Sequence, residues 1–153
     1  MRMSTRGRYG LRAMIELAMR HGGPPARLRD IAKCQDIPLA YLRELMTALA
    51  ANGLVRAVRG PKGGYVLSRE PESVTARQII EPLEGALVLV DCTQDATLCD
   101  RSDRCAARSL WSKLTEDMRL TLDATSLSEL AKAQQAQQPS SPIGSPTCGR
   151  SAP

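Results

Sequence analysis

Three cysteines, Cys92, Cys99 and Cys105, fall within fourteen residues of a 153-residue chain, and they are its side chains best suited to chemistry. Their spacing, Cys-x6-Cys-x5-Cys, is wider than the short Cys-x2-4-Cys knuckle that grips structural zinc. It suits a larger object, because thiolates on an iron–sulfur cluster must reach separate irons from different directions. A cluster would use all three thiols and need one further donor. A disulfide switch would use two and leave one idle; zinc binding or no role at all complete the alternatives. Cys105 is expected near the start of a long helix, where the dipole favours thiolate, which serves ligation and thiol reactivity alike. Five cysteines in all argue against a closed disulfide framework. Cys34 reads as a small buried helix residue and Cys148 as a bystander.

The elements that must position these thiols follow from apolar periodicity and its punctuation. Ser4 and Thr5 are candidate caps for a first helix with Leu11, Met14, Ile15 and Ala18 on one face, ended by Gly22-Gly23-Pro24-Pro25. Leu28 to Gln35 forms a short second helix, and Asp36-Ile37-Pro38 a tight break. Leu42, Leu45, Met46 and Leu49 then make the buried stripe of a third helix, stopped by Gly53. Two short helices joined by a tight turn are a helix-turn-helix. The stripe leaves Ala40, Tyr41, Arg43, Glu44 and Thr47 facing outward. Strand-like runs Leu54–Arg59 and Tyr65–Ser68 flank Gly60-Pro61-Lys62-Gly63-Gly64, a hairpin tip armed by Arg59 and Lys62. The whole is a winged helix. No Lys-Ser/Thr pair and helix follow the glycines, which dismisses a nucleotide-binding loop.

Thr75-Ala76-Arg77-Gln78 is a capping box for a helix carrying Ile79, Ile80 and Leu83, which Pro82 should bend or end. The apolar run Ala86–Val90 leads into the cysteine loop. From about Asp103 a helical pattern runs to Asp123, with Leu110, Trp111, Leu114, Met118 and Leu122 on one stripe. So small a body offers that stripe little to bury against, so a partner subunit and a homodimer are expected. Ser126-Leu127-Ser128-Glu129 caps a last helix, and residues past Gln137 read as a disordered tail. The fold class is mainly α with a small β-hairpin: a winged helix-turn-helix domain over 1–75, a cluster loop and long dimerisation helix over 76–136, and a tail over 137–153.

Charge divides along the same line. Residues 1–75 carry 13 Lys/Arg against 6 Asp/Glu, whereas residues 76–153 carry 8 against 10. A basic half joined to a mildly acidic half fits a polyanion-binding end and a regulatory end. Phe is absent, so the core must be aliphatic. The opening residues lack an apolar signal core and no run reaches membrane-spanning length, so a cytoplasmic protein without membrane partners is expected. One histidine and no paired base and nucleophile leave no catalytic constellation and no small-molecule substrate.

Ser4-Thr5-Arg6-Gly7-Arg8-Tyr9-Gly10, Tyr41-Leu42, the wing Val58–Tyr65 and a three-cysteine loop ending before Leu110-Trp111 resemble bacterial transcription regulators of the IscR and NsrR type. The resemblance covers about residues 1–135. It implies a homodimer on a double-stranded DNA operator, with Ser4, Thr5, Ala40, Tyr41, Arg43, Glu44, Arg59, Gly60, Lys62, Gly63 and Gly64 at the DNA. It also implies a cluster on the cysteines, 2Fe–2S preferred over 4Fe–4S, that tunes binding by a repressor. One departure matters. IscR-type proteins have a histidine ligand where this chain has Arg108, which has no lone pair to give. NsrR-type proteins take a carboxylate from the partner's first helix, where this chain has Arg8. The fourth donor is left among Asp91, Asp95, Asp100, Asp103 and Cys34, with His21 a surface residue. A metal-free thiol switch and a cluster-carrying interaction protein are the alternatives.

Overall fold

The computed structural model describes residues 3–137; the tail expected beyond them, with Cys148, lies outside the described residues. Among the described residues six helices run in chain order: α1 Thr5–Met19, α2 Leu28–Gln35, α3 Leu39–Ala51, α4 Ala76–Glu84, α5 Ala106–Ala124 and α6 Leu127–Gln137. Strands β1 Val55–Val58 and β2 Gly64–Leu67 lie between α3 and α4, antiparallel, with Val55 opposite Leu67 and Val58 opposite Gly64. Short 3-10 turns occupy Pro71–Ser73, Asp91–Thr93, Ala96–Leu98 and Ser102–Arg104.

Both capping boxes form. The Thr75 hydroxyl accepts from the Gln78 amide while Gln78 accepts from the Thr75 amide, and Ser126 and Glu129 exchange the same pair of bonds. Pro82 neither ends nor removes α4, which runs on to Glu84 with Gly85 as its cap. Proline costs the helix only the hydrogen bond its missing N–H would have made, tolerable within the last turn.

The core is aliphatic, as a chain without Phe requires. Met14, Ile31, Leu42, Leu45, Met46, Leu49 and Ile79 are fully buried together with Leu127 of α6, which folds back onto α1. On α1 the buried face centres on Gly7, Gly10, Ala13, Met14, Leu17 and Ala18, while Leu11 and Ile15 are only half-buried. The rotation has a cause: α4 and α6 both pack against α1, and at Gly7 and Gly10 the Glu84 and Leu83 side chains of α4 occupy the space a Cβ would need.

Candidate nucleic-acid interface and cysteine loop

α2 and α3 meet at Asp36, whose left-handed backbone (φ 52°) reverses the chain while Ile37 is buried beneath the turn. α3 buries Leu42, Leu45, Met46 and Leu49, so its other face is free. Ala40, Arg43, Glu44 and Thr47 are exposed there, and the Thr47 hydroxyl donates to the Arg43 carbonyl at 2.9 Å. Tyr41 is different. It is half-buried, edge-on to Tyr9 with ring centroids 6.1 Å apart, and Tyr9 in turn lies 5.5 Å from the Arg12 guanidinium. Its ring is committed to packing between α1 and α3.

The wing is a two-stranded hairpin with Arg59 and Lys62 exposed at its tip. Gly60 has φ 116°, a backbone state that side chains disfavour, and its carbonyl accepts from the Gly63 amide at 2.9 Å. Gly64 leaves no room for a Cβ because the Ala26 backbone crosses there; the Ala26 and Tyr65 amides and carbonyls pair at 2.8 and 2.9 Å. Arg27, which nothing in the sequence pattern singled out, donates to the Pro61 carbonyl at 3.4 Å and braces the tip from α2. Ser4 caps α1, accepting from the Arg6 and Gly7 amides, and Thr5 accepts from the Arg8 guanidinium at 3.2 Å.

Between α4 and α5 the chain makes three successive short turns, and the three cysteines punctuate them. Cys92 lies in the first, Cys99 closes the second, and Cys105 is the N-cap residue of α5. The long helix thus starts at Ala106, three residues later than its pattern suggested, because Ser102–Arg104 forms a 3-10 turn and Cys105 is extended. All three thiols are free and half-buried. Asp95 is occupied by capping. It accepts from the Thr97 hydroxyl at 2.6 Å and amide at 2.9 Å, and these bonds, the hydroxyl's first, hold its carboxyl below the usual value. Asp91, Asp100 and Asp103 are exposed. Arg108 reaches back across the loop, donating from Nε to the Cys92 carbonyl at 2.9 Å and from Nη1 to the Ser102 carbonyl at 3.3 Å. It is a clasp, where a histidine would be a ligand.

As donors, three thiols suit an iron–sulfur cluster. As placed, they are not yet a ligand set: among the described residues no three His, Cys, Asp or Glu side chains converge closely enough to hold a metal ion. His21 lies just past the end of α1, exposed as expected and bonded to Glu70 at 3.0 Å. Cys34 is half-buried in α2 rather than fully buried, and accepts from Arg20 at 3.6 Å.

α5 carries its expected stripe outward. Leu110, Trp111 and Leu114 are 52%, 37% and 41% exposed, with Met118 and Leu122 half-buried. Leu120, off the stripe, is 56% exposed too. Thr115 is this helix's one buried residue, and its hydroxyl accepts from the Leu89 amide at 3.4 Å.

The family model of Rrf2, an iron-dependent transcriptional regulator, matches residues 3–133. The transcriptional regulator IscR of Xenorhabdus nematophila is 37% identical over 135 residues, which cover 88% of this chain and 82% of that one. Among solved structures, CymR of Bacillus subtilis, described as its global cysteine regulator, is 40% identical with a TM-score of 0.75 over 87% of this chain and 98% of that one. IscR of T. potens is 34% identical, with a TM-score of 0.74 over 92% and 94% of the two chains.

Proposed function

The chain belongs to the Rrf2 family of DNA-binding transcription regulators, and we propose that it is a cytoplasmic repressor whose operator affinity is set by the cysteine loop. The relatives are helix-turn-helix regulators, not enzymes. The observation that carries the reading is the position of the thiols. Three free, half-buried cysteines occupy the connection from the winged-helix core to an exposed helix, with Cys105 at that helix's first turn. A change at these thiols acts on the entry to α5. α5 in turn presents Leu110, Trp111, Leu114, Met118 and Leu122 to a second copy of the chain, so loop chemistry bears on how two winged helices are spaced.

At the DNA, Arg43 and Glu44 with Ala40 and the edge of Tyr41 address the major groove. Arg59 and Lys62 address the backbone or minor groove beside it, with Gly60, Gly63 and Gly64 keeping the wing thin. Ser4 and Thr5 stand at the amino end of α1, where positive helix dipole and phosphate attract.

Cys92, Cys99 and Cys105 would hold an iron–sulfur cluster, 2Fe–2S in preference to 4Fe–4S. When bound it supplies iron whose redox state and integrity respond to oxygen, nitric oxide or iron supply. The chain's own contribution is to shield the thiols by half-burial and to hold the loop's two limbs together through Arg108. A second reading, a metal-free thiol switch, draws on the absence of a converged donor set among the described residues and on likeness to a cysteine regulator. A cluster carrier that never reads DNA has no use for the armed wing.

Anaerobic purification followed by visible absorption and iron and sulfide assays tests the choice. Iron and sulfide in equal amounts, with an operator affinity that falls or rises when the cluster is stripped, support the first reading. Metal-free protein whose affinity changes on reversible thiol oxidation supports the second. Affinity indifferent to both overturns loop control.

A further inference from the structure

The end of α4 meets the first turn of α1 at Ser4 and Gly7, through a carboxylate to which neither the DNA reading nor the thiol chemistry gives a role. One carboxylate oxygen, Glu84 Oε1, accepts three hydrogen bonds: from the Ser4 amide at 3.1 Å, the Ser4 hydroxyl at 2.5 Å and the Gly7 amide at 2.9 Å. The same hydroxyl accepts from the Arg6 amide at 3.0 Å, so cap and carboxylate form one cluster. The contact is also tight. A Cβ on Gly7 would overlap the Glu84 carboxylate, and one on Gly10 would overlap Leu83. The Glu84 and Leu83 side chains are thus packed directly against the backbone of α1, and a movement of α4 is passed to α1 through them.

On its other side Glu84 leads towards the cysteines. Gly85 follows with φ 85° and ψ −164°, a backbone state open in practice to glycine alone. Leu87 is then buried, the Leu89 amide is held by Thr115 of α5, and Cys92 begins the loop. The chain from Gly85 to Leu89 is therefore fixed to both helices, and a loop that rearranges pulls on Glu84.

We propose that Glu84 is a positioning residue through which the state of the cysteine loop sets the placement of the DNA-facing turn of α1. The proposal rests on the loop-controlled regulator described above. With Glu84 engaged, a negative charge sits at the turn that faces phosphates and its amides are occupied. With Glu84 displaced, Ser4 and Gly7 are released to the DNA.

Operator binding by fluorescence anisotropy, at fixed salt, tests this on the full chain with Cys34→Ser and Cys148→Ser, so that only the loop thiols react. Each variant is compared reduced and after N-ethylmaleimide labelling, and hydrogen exchange of residues 4–10 is followed in the same two states. In the parent, labelling should change both operator affinity and exchange at Gly7. Glu84→Ala should shrink the labelling-dependent affinity ratio about fivefold or more and make Gly7 exchange the same in both states. Glu84→Gln keeps an acceptor oxygen, so it should retain the ratio while binding more tightly in each state. A static cap predicts otherwise: parent Gly7 exchange indifferent to labelling, or Glu84→Ala with the parent ratio, overturns the proposal. Should parent affinity itself ignore labelling, the loop-controlled reading fails, and the exchange arm still decides Glu84. The parent exchange measurement also decides it if Glu84→Ala does not fold.

Discussion

α3 and α5 carry similar apolar stripes and use them in opposite ways. In α3, Leu42, Leu45, Met46 and Leu49 are all 0% exposed. In α5, a longer helix of 19 residues, only Thr115 is buried, while Leu110, Trp111, Leu114 and Leu120 are exposed and Met118 and Leu122 half-buried. The contrast separates two meanings of one periodicity. α3 lies in a body with α1, α2 and α4 around it, while α5 leaves that body at the cysteine loop and touches it through α4 and the first loop turn. A stripe covered by its own chain stabilises the fold; a stripe left open is available to a second copy.

The largest effects should come from breaking each stripe in turn. Leu45→Ala opens a cavity in the core and should cost about 2–5 kcal/mol in a denaturant melt, with the dimer lost only because the fold is lost. Leu114→Asp should instead leave the monomer's denaturant midpoint nearly unchanged, yet convert dimer to monomer in sedimentation. Binding to a two-half-site operator should disappear with it. A Leu114→Asp protein that stays dimeric moves the interface elsewhere, with exposed Leu120 the next residue to change.

Next in size are changes at the loop. Any of Cys92, Cys99 or Cys105 changed to Ala should abolish stable cluster assembly, read as iron per chain. Arg108→Ala removes a clasp without touching a thiol, so Cys92 should alkylate several-fold faster while the melt shifts by only about 1–3 kcal/mol. Arg108→His gives up the clasp but offers an imidazole, and a cluster that bleaches more slowly in air than the parent's would show that the fourth position wants a donor. Equal bleaching would leave Arg108 with the clasp alone.

How much of this was legible in the sequence differs between the same two regions. The helix-turn-helix bounds, both capping boxes and the wing were readable because each depends on local chemistry: Leu28–Gln35 between breakers, Thr75 with Gln78, glycines around Lys62. What was not readable depends on distant partners. The buried face of α1 turns towards Gly7 and Gly10 because α4 packs there, and no periodicity in residues 5–19 announces that. Tyr41 looked outward until Tyr9 of another helix covered it. Arg27 and Arg108 act on carbonyls far along the chain, and backbone acceptors leave no mark on sequence. The three cysteines were visible at once, but whether they converge is a matter of loop conformation, which short turns without periodicity do not reveal.

A smaller effect sharpens the wing. Arg59 and Lys62 are exposed with no bond to the protein among those described, so their loss should leave the melt within about 0.5 kcal/mol of the parent. If Arg59 meets a phosphate, Arg59→Ala should reduce the salt dependence of binding by about one unit for every sequence; if it meets a base, it should cost ~1–3 kcal/mol at one operator position only. Unchanged specific and non-specific binding would remove the wing from the interface. Arg27→Ala offers a control, since it loosens the tip through Pro61 and should weaken binding while Arg59 remains.

The smallest effect concerns Asp95, a candidate ligand that the structure finds capping a loop turn. Its two bonds from Thr97 favour the carboxylate, so its folded value lies below the ordinary 3.8. The sign follows: a lowered carboxyl contributes stability that is present above its unfolded value and is lost as pH falls through the folded one. The turn Ala96–Leu98 should therefore be unaffected from neutral pH down towards 4 and should loosen only below that. An NMR titration following the Thr97 amide reads it directly, with a midpoint expected under 3.8. Asp95→Asn keeps one acceptor oxygen and should abolish the titration while leaving thiol reactivity and any cluster spectrum as they were. A midpoint at or above the ordinary value, or a spectrum altered by Asp95→Asn, would mean that the carboxylate is not held by Thr97 in solution, and would return it to the list of donors from which this turn removes it.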